Sequence, residues 1–397
     1  MAGYKRAGAL VLFEGLPPTV IDSQVLTHAR LVREQLGVEL RVIAFAGTEA
    51  IFAMSAARLE QARQIAGGPV ALLRGVRPAR PGSLAANRHL LKRALAAADK
   101  VSFIHARGDY TAAVAGSLAQ HLGLPMLWDC RGDTLAEFRE RVGGQGAMFR
   151  PLAALRAALL RRDLKIAGRD CAAACFVSEP LRDLMAAYIS GKPSWVVPCL
   201  ALEGEFFFNP ALRQSTRARL GIADDEAVYI YSGSLAAYQG FDEVVSLFRR
   251  VVAAGSNARL VVLSPASDVA ARALAGLPAE RVLCRSVALA EVNAYLNAAD
   301  FGLLLRDATP VNRVAFPTKF AEYALTGLRI VMKEDPPGCV EAARQLGIDV
   351  PVGAAVDAVA SSVEERSRAA GAAAQQLGRR AALPLFGKIY ESLAPAQ

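Results

Sequence analysis

The segment Phe316-Pro317-Thr318-Lys319-Phe320-Ala321-Glu322-Tyr323 sets a cation and a carboxylate one helical turn apart, just after a proline. Proline presets φ for a first helical turn. The free N–H groups of such a turn form an anion site, strengthened by the helix dipole. Lys319 adds a full charge, and Glu322 can accept hydrogen bonds from sugar hydroxyls. Gly327 ends the helix, and Leu328-Arg329-Ile330-Val331 reads as a buried strand. A phosphate beside a ribose points to a nucleotide. The plain alternative is an amphipathic helix start with a solvated Lys/Glu pair.

Four other stretches carry polar groups where strands should end. Tyr231-Ser232-Gly233-Ser234-Leu235 follows one strand, and Tyr238-Gln239-Gly240-Phe241-Asp242 opens the next helix. Small residues there admit a ligand to the backbone, and hydroxyls suit phosphate. Gly233, Ser234 and Gln239 are therefore candidates. Neither G-x-G-x-x-G nor G-x-x-x-x-G-K-[ST] occurs at these turns, which speaks against a dinucleotide dehydrogenase or a P-loop ATPase. Arg306 and Asp307 end another strand, with Asn312 and Arg313 just beyond. A buried guanidinium needs an anion: either a ligand or, as the structural alternative, Asp307.

His105-Ala106-Arg107-Gly108 is expected to end a strand, with Asp109 beside it. An imidazole there can donate hydrogen bonds or move protons. Trp128-Asp129-Cys130-Arg131-Gly132-Asp133 ends the next strand, with Glu137 one turn into a helix. Asp129 and Asp133 can orient Arg131, bind sugar hydroxyls or act as a base. Residues 148–170 hold Arg150, Arg156, Arg161, Arg162, Lys165 and Arg169 among leucines and alanines, with only Asp163 and Asp170 as acids. That segment suits an anionic bilayer or a solvated helix face packed through its leucines.

Strands alternating with amphipathic helices must position these groups. The pattern runs strand 9–13, helix 22–36, strand 40–46, helix 50–65, strand 70–73, helix 84–98, strand 101–105, helix 110–121 and strand 125–128. It turns helical from about residue 150, reads as a linker over 203–210, and restarts at strand 228–232. Such alternation predicts two α/β, doubly wound parallel sheets that bind ligands at the carboxyl ends of their strands. The expected domains are 1–200 on the acceptor side and 201–375 on the nucleotide side. A C-terminal helix within 376–397 is expected to pack back on the first domain.

The 397 residues suit two domains, and 53% hydrophobic residues suffice for a core in each. No uncharged apolar run reaches 18 residues, so no transmembrane helix is expected. Residues 7–13 resemble a signal-peptide core but reach Glu14 at once, so a first strand fits better. The six cysteines lack zinc-site spacing and read as buried thiols of a reducing compartment. The +9 net charge favours anionic partners: nucleotides, nucleic acid or a membrane surface. No aromatic-interleaved basic patch supports nucleic acid.

Taken together, these residues resemble the GT-B glycosyltransferases, of the family 4 type. The resemblance spans nearly the whole chain and is strongest from Tyr231 to Val331. The pattern Ser232-Gly233-Ser234, Gln239-Gly240-Phe241-Asp242, Arg306, Asn312, Pro317-Thr318-Lys319, Glu322-Tyr323 and Gly327 is similar to a subgroup of bacterial surface-polysaccharide enzymes. Asp129-x-Arg131-Gly132 after a strand holding His105 is similar to it too.

The resemblance implies a retaining, metal-independent hexosyltransferase without a cofactor. It would use a nucleotide-sugar donor, UDP- or GDP-linked, and a glycan or lipid-linked acceptor. Lys319 and the N–H groups near Thr318 would hold the diphosphate, and Glu322 the ribose. His105 would contact the donor sugar, with Asp129 and Arg131 beside it. Ser23 and Gln24 would lie on the acceptor side. The expected location is cytoplasmic, with peripheral contact at the inner membrane face. Three positions depart from the family pattern, in two ways. Val314 stands where many members have a first glutamate, and Ser234 and Gln239 stand where many carry Arg and Lys. A nucleotide-sugar epimerase and a non-catalytic nucleotide-binding subunit remain the alternative readings.

Overall fold

The computed structural model describes residues 6–18, 20–97, 100–142 and 150–393. Met148, the start of the expected basic segment, lies outside them. The chain divides into two compact units, one of residues 1–198 with 383–397 and one of residues 199–382.

The first unit is built on a seven-stranded parallel sheet: β1 (Arg6–Leu12), β2 (Val38–Ala46), β3 (Val70–Arg74), β4 (Phe103–Arg107), β5 (Met126–Cys130), β6 (Ala173–Phe176) and β7 (Ser194–Val196), in the order β3-β2-β1-β4-β5-β6-β7. β4 and β5 are buried along their whole length, as expected where helices cover both faces of a parallel sheet. The pairing of β1 with β4 sets Gly8 opposite Phe103. A Cβ on Gly8 would lie 2.3 Å from the Phe103 ring, so this glycine admits the ring and pins the register. β4 therefore begins at Phe103 and runs through Arg107. His105 sits at its centre, not at the expected strand end.

The first helix also differs from expectation. Residues Asp22–Leu26 form a π-helical turn before the α-helix Thr27–Leu36, and Thr27 N–H bonds the carbonyl of Asp22. Arg58 holds Asp22 with two hydrogen bonds of 2.7 and 2.8 Å. The expected helix 50–65 is two helices, Glu49–Ala57 and Leu59–Ala66, meeting at Arg58. The C-terminal helix Leu383–Ser392 belongs to this unit, where Arg6 donates to the carbonyls of Tyr390 and Leu393.

The second unit carries β8 (Ala227–Ser232), β9 (Ala258–Leu263), β10 (Val282–Arg285), β11 (Phe301–Leu304), β12 (Arg329–Met332) and β13 (Asp349–Pro351), all parallel, in the order β10-β9-β8-β11-β12-β13. In the helix Phe241–Ala253, Phe241, Val244, Val245, Leu247, Phe248 and Val251 form the buried stripe of an amphipathic helix. This stripe shares a core with Tyr229, Leu260 and Phe301 of the sheet. Residues 203–210, expected as a linker, are tied into this unit, and Pro210 already starts the helix Pro210–Leu220. The Glu203 carboxylate accepts from the N–H groups of Arg380 and Ala381. Phe207 and Asn209 N–H donate to Asn293 and Asn297.

Candidate functional site

The strand order of the second unit reverses between β8 and β11. Such a switch point leaves a crevice at the carboxyl ends of the two strands. Gly233 follows β8 and Arg306 lies two residues beyond β11. The helix Thr318–Leu325 is set against both strands by one side chain. A Cβ on Gly302 of β11 would lie 2.5 Å from the Tyr323 ring, so glycine there lets the ring reach the sheet. The Tyr323 hydroxyl then accepts a 2.9 Å hydrogen bond from Ser232 N–H. Lys319, one turn earlier on the same face, is thereby brought to Gly233: a Cβ at 233 would sit 3.1 Å from Nζ. Gly233 has φ +134°, a conformation that L side chains rarely adopt.

Lys319 is only 7% exposed and Arg306 only 5%. Neither makes an ion pair among the described residues. Lys319 Nζ lies 4.1 Å from the centre of the Tyr231 ring. Burial, then the Arg306 charge, pulls the Lys319 ammonium down to about 7. Among the described residues Arg306 donates only to neutral amide oxygens, Asn312 Oδ1 and Gln239 Oε1, each at 3.2 Å, and its buried Nε has no partner there. Asp307, the structural alternative, pairs with Lys333 at 2.8 Å instead. Other buried arginines of this unit are satisfied differently. Arg217 meets Asp300 at 3.4 Å, and Arg366 donates to three backbone carbonyls.

The other sequence candidates fall into place around this pair. Pro317 is the N-cap, with extended backbone at φ −70° and ψ 144°, so Thr318 and not the proline starts the helix. Phe320 N–H bonds Pro317 carbonyl at 3.1 Å, while the N–H groups of Thr318 and Lys319 donate to nothing among the described residues. Glu322 is partly buried, its carboxyl raised to about 7 by burial against the opposing pull of Lys319. Asn312 is fully buried, and its amide donates to the carbonyls of Tyr238 and Asp307. It stands behind Arg306 and not at a surface a ligand can reach. Ser234 and Arg313 are exposed, and Val314 is buried. Gly240 is obligatory, since a Cβ would meet the Leu305 carbonyl oxygen at 1.7 Å.

In the first unit the switch point lies between β1 and β4. At the strand ends Arg107 meets Glu14 at 3.1 Å and Asp129 at 3.6 Å, and Arg131 meets Asp129 at 3.3 Å. Burial pushes the Asp129 carboxyl up, but Arg131, His105 and Arg107 outweigh it and hold it well below the usual carboxylate range. So stabilised a carboxylate is a weak base, and orienting its neighbours is the role it fits. His105 Nε2 faces Asp129 Oδ2 at 3.6 Å, beyond hydrogen-bond distance, and Nδ1 lies 3.0 Å from the Tyr390 hydroxyl. Asp109, beside this group, is buried and accepts from Trp128, Cys130 and Thr134. Ser23 and Gln24 lie partly buried in the π-helical turn, where Ser23 Oγ reaches the Val20 carbonyl at 3.4 Å.

Gly302 and Tyr390 escaped the sequence reading, and Tyr231 and Tyr323 were quoted there only as parts of motifs, without their packing roles. The spacing of Lys319 and Tyr323, i and i+4, was the one local signal.

No protein-family model matches the sequence, and no curated protein matches it. Solved structures share its architecture over nearly the full length. Anabaena HepE in complex with UDP superposes with a TM-score of 0.70 at 14% identity, covering 98% of this chain and 100% of that one. A glycosyltransferase from Rickettsia africae gives 0.68 at 10% identity, covering 99% and 100%. Sucrose-phosphate synthase from Thermosynechococcus elongatus gives 0.67 at 14%, covering 98% and 99%. The chain has the GT-B fold.

Other features of this GT-B chain bear on the site less directly. Among the described residues no three His, Cys, Asp or Glu side chains gather as metal ligands, and no helix is long and apolar enough to cross a membrane. No cysteine is in a disulfide; Cys199 and Cys284 are partly exposed, unlike the buried thiols expected for all six. On the helix Arg150–Asp170, Leu160, Leu164 and Ala167 are buried, while Leu152, Leu155 and Arg156 are exposed.

Proposed function

We propose that this protein is a retaining, metal-independent glycosyltransferase of the family 4 type. It would move a sugar from a UDP- or GDP-linked donor to a glycan or lipid-linked acceptor in surface-polysaccharide synthesis. One observation carries the donor site: Arg306 and Lys319 are buried at the switch point of the second unit with no carboxylate within 4 Å among the described residues. Two desolvated cations side by side are costly without an anion. A diphosphate supplies it.

In this reading the diphosphate lies against Gly233, Lys319 Nζ, Arg306 and the free N–H groups of Thr318 and Lys319. Its charge rises as the glycosidic bond breaks, and donors already aimed at it stabilise the transition state. These protein cations take the place of a metal. Glu322, one turn along, accepts from the ribose hydroxyls. Gln239 and Asn312 hold Arg306. On the first unit, His105, Asp129 and Arg131 are the proposed sugar-side group, and Ser23 and Gln24 the acceptor side. The retaining course, the family and the polysaccharide role are supported by the sequence pattern. That HepE is known in complex with UDP supports the nucleotide. Peripheral binding at the inner membrane face, from a cytoplasmic location, is supported by the cations and exposed leucines of Arg150–Asp170.

The test is product analysis of a panel of nucleotide sugars, with and without acceptors. Transfer that Lys319→Ala and Glu322→Ala abolish supports the reading. Transfer that survives both overturns the donor site, and conversion of the donor without acceptor points to an epimerase.

A further inference from the structure

In the first unit a cavity of about 280 Å³ opens at the carboxyl ends of β2 and β3. Gly47, Thr48 and Glu49 line one side, and Arg74, Arg77 and Arg80 the other. None of these residues belongs to the groups discussed above. Arg74 pairs with Glu49. The side chains of Arg77 and Arg80 make no ion pair or hydrogen bond among the described residues, so two positive charges remain uncompensated around the cavity.

The loop that carries them is held from inside. Asn87, fully buried, accepts from Val76 N–H at 2.8 Å and donates to the Val76 carbonyl at 2.7 Å. Ser83, 1% exposed, donates through Oγ to the Arg80 carbonyl at 2.8 Å. Gly75 N–H bonds the Ala46 carbonyl at 3.0 Å, tying the end of β3 to the end of β2. Between these anchors Ala79 takes φ +55°, left-handed for a residue with a Cβ. Two buried polar side chains thus fix the backbone on both sides of Arg77, and like-charged groups are held near one another.

We propose that this cavity is an anion subsite that takes a phosphate or diphosphate group of the acceptor. Guanidinium forks match phosphate oxygens bidentately. Two uncompensated charges match a phosphate dianion better than a single carboxylate. The volume falls just below the roughly 300–1,000 Å³ of pockets that enclose a drug-sized ligand, so the cavity suits a charged end-group and not a whole nucleotide sugar. The assignment to the acceptor rests on the transferase reading. The phosphate site itself does not.

The experiment is calorimetric titration of the full chain carrying Lys319→Ala and Arg306→Ala, which removes both donor-site cations, with inorganic pyrophosphate and with farnesyl diphosphate. Adding Arg77→Ala and Arg80→Ala should weaken both ligands by about tenfold or more, while Arg249→Ala with Arg250→Ala, exposed in the second unit, should not. Equal weakening by both pairs, or none by the first, overturns the site. Loss for pyrophosphate alone overturns the acceptor assignment. Failure of UDP and GDP to bind the unmutated chain would instead overturn the donor reading and leave this site standing.

Discussion

The hydroxyl of Tyr390 lies 3.0 Å from Nδ1 of His105, across 285 residues of sequence, and 2.8 Å from Nε2 of His28. A hydroxyl has one proton to give. His105 Nε2 faces the ionised Asp129 carboxylate at 3.6 Å, so a bare lone pair there would be repelled. The proton therefore sits on Nε2 of His105, Tyr390 donates to Nδ1, and His28 donates to Tyr390. Tyr390→Phe keeps the ring and removes this constraint. It should cost ~1–2 kcal/mol of stability. Nitrogen-15 NMR should show His105 as the Nε2–H tautomer in the native chain and a mixture in the variant. Nδ1–H in the native chain would refute the assignment.

Lys319 is a residue the free protein holds at a cost. Its folded value of about 7 lies below the ordinary 10.5, so between these values the unfolded chain binds the extra proton and stability rises with pH. Glu322 is raised from 4.5 to about 7, so its contribution falls as pH rises through that window. Together they place a dip in the stability of the nucleotide-free protein near neutrality. Lys319→Met should stabilise that state by ~1–3 kcal/mol at pH 6, with a smaller gain at pH 9. Thermal melts at the two pH values check both size and sign.

Nucleotide binding should carry the opposite signature. A diphosphate beside Lys319 favours its charged form, so binding near and above pH 7 takes up a proton. Affinity for UDP or GDP should fall from pH 7 to pH 9, by up to about tenfold per unit. Titrations in buffers of different ionisation enthalpy measure the uptake. Lys319→Arg, charged throughout, should flatten the profile.

Two glycines separate the site from the scaffold. Gly233→Ala places a Cβ against Lys319 Nζ in an unfavourable backbone conformation, and should weaken nucleotide binding by about tenfold. Gly302→Ala drives a methyl into the Tyr323 ring and should cost ~1–3 kcal/mol of stability. Denaturant melts and titrations on both variants resolve the two effects.

Local pattern was enough to reveal the alternation of strands and helices, because strands buried on both faces read as apolar runs between amphipathic helices. It also set Lys319 and Glu322 one turn apart on a helix, since that spacing is local. It misplaced the end of β4, since that boundary depends on Phe103 fitting over Gly8 of another strand. It set Asn312 just beyond Arg306 but gave no sign that Asn312 is fully buried and accepts from the Arg306 guanidinium at 3.2 Å. Tyr390 was invisible for the same reason: its partners are His28 and His105, at the far end of the chain. The arginines around the β2–β3 cavity look like any solvated loop until Asn87 and Ser83 are seen to hold it.

Arg306 and Lys319 are buried with no carboxylate within 4 Å among the described residues, and a nucleotide diphosphate is the counter-charge proposed for them. Calorimetric titration with UDP, GDP, CDP and TDP tests it most directly. The account predicts saturable one-to-one binding of UDP or GDP, weakened at least tenfold by Lys319→Ala and by Arg306→Ala. No binding of any of the four, or binding indifferent to both substitutions, would contradict it.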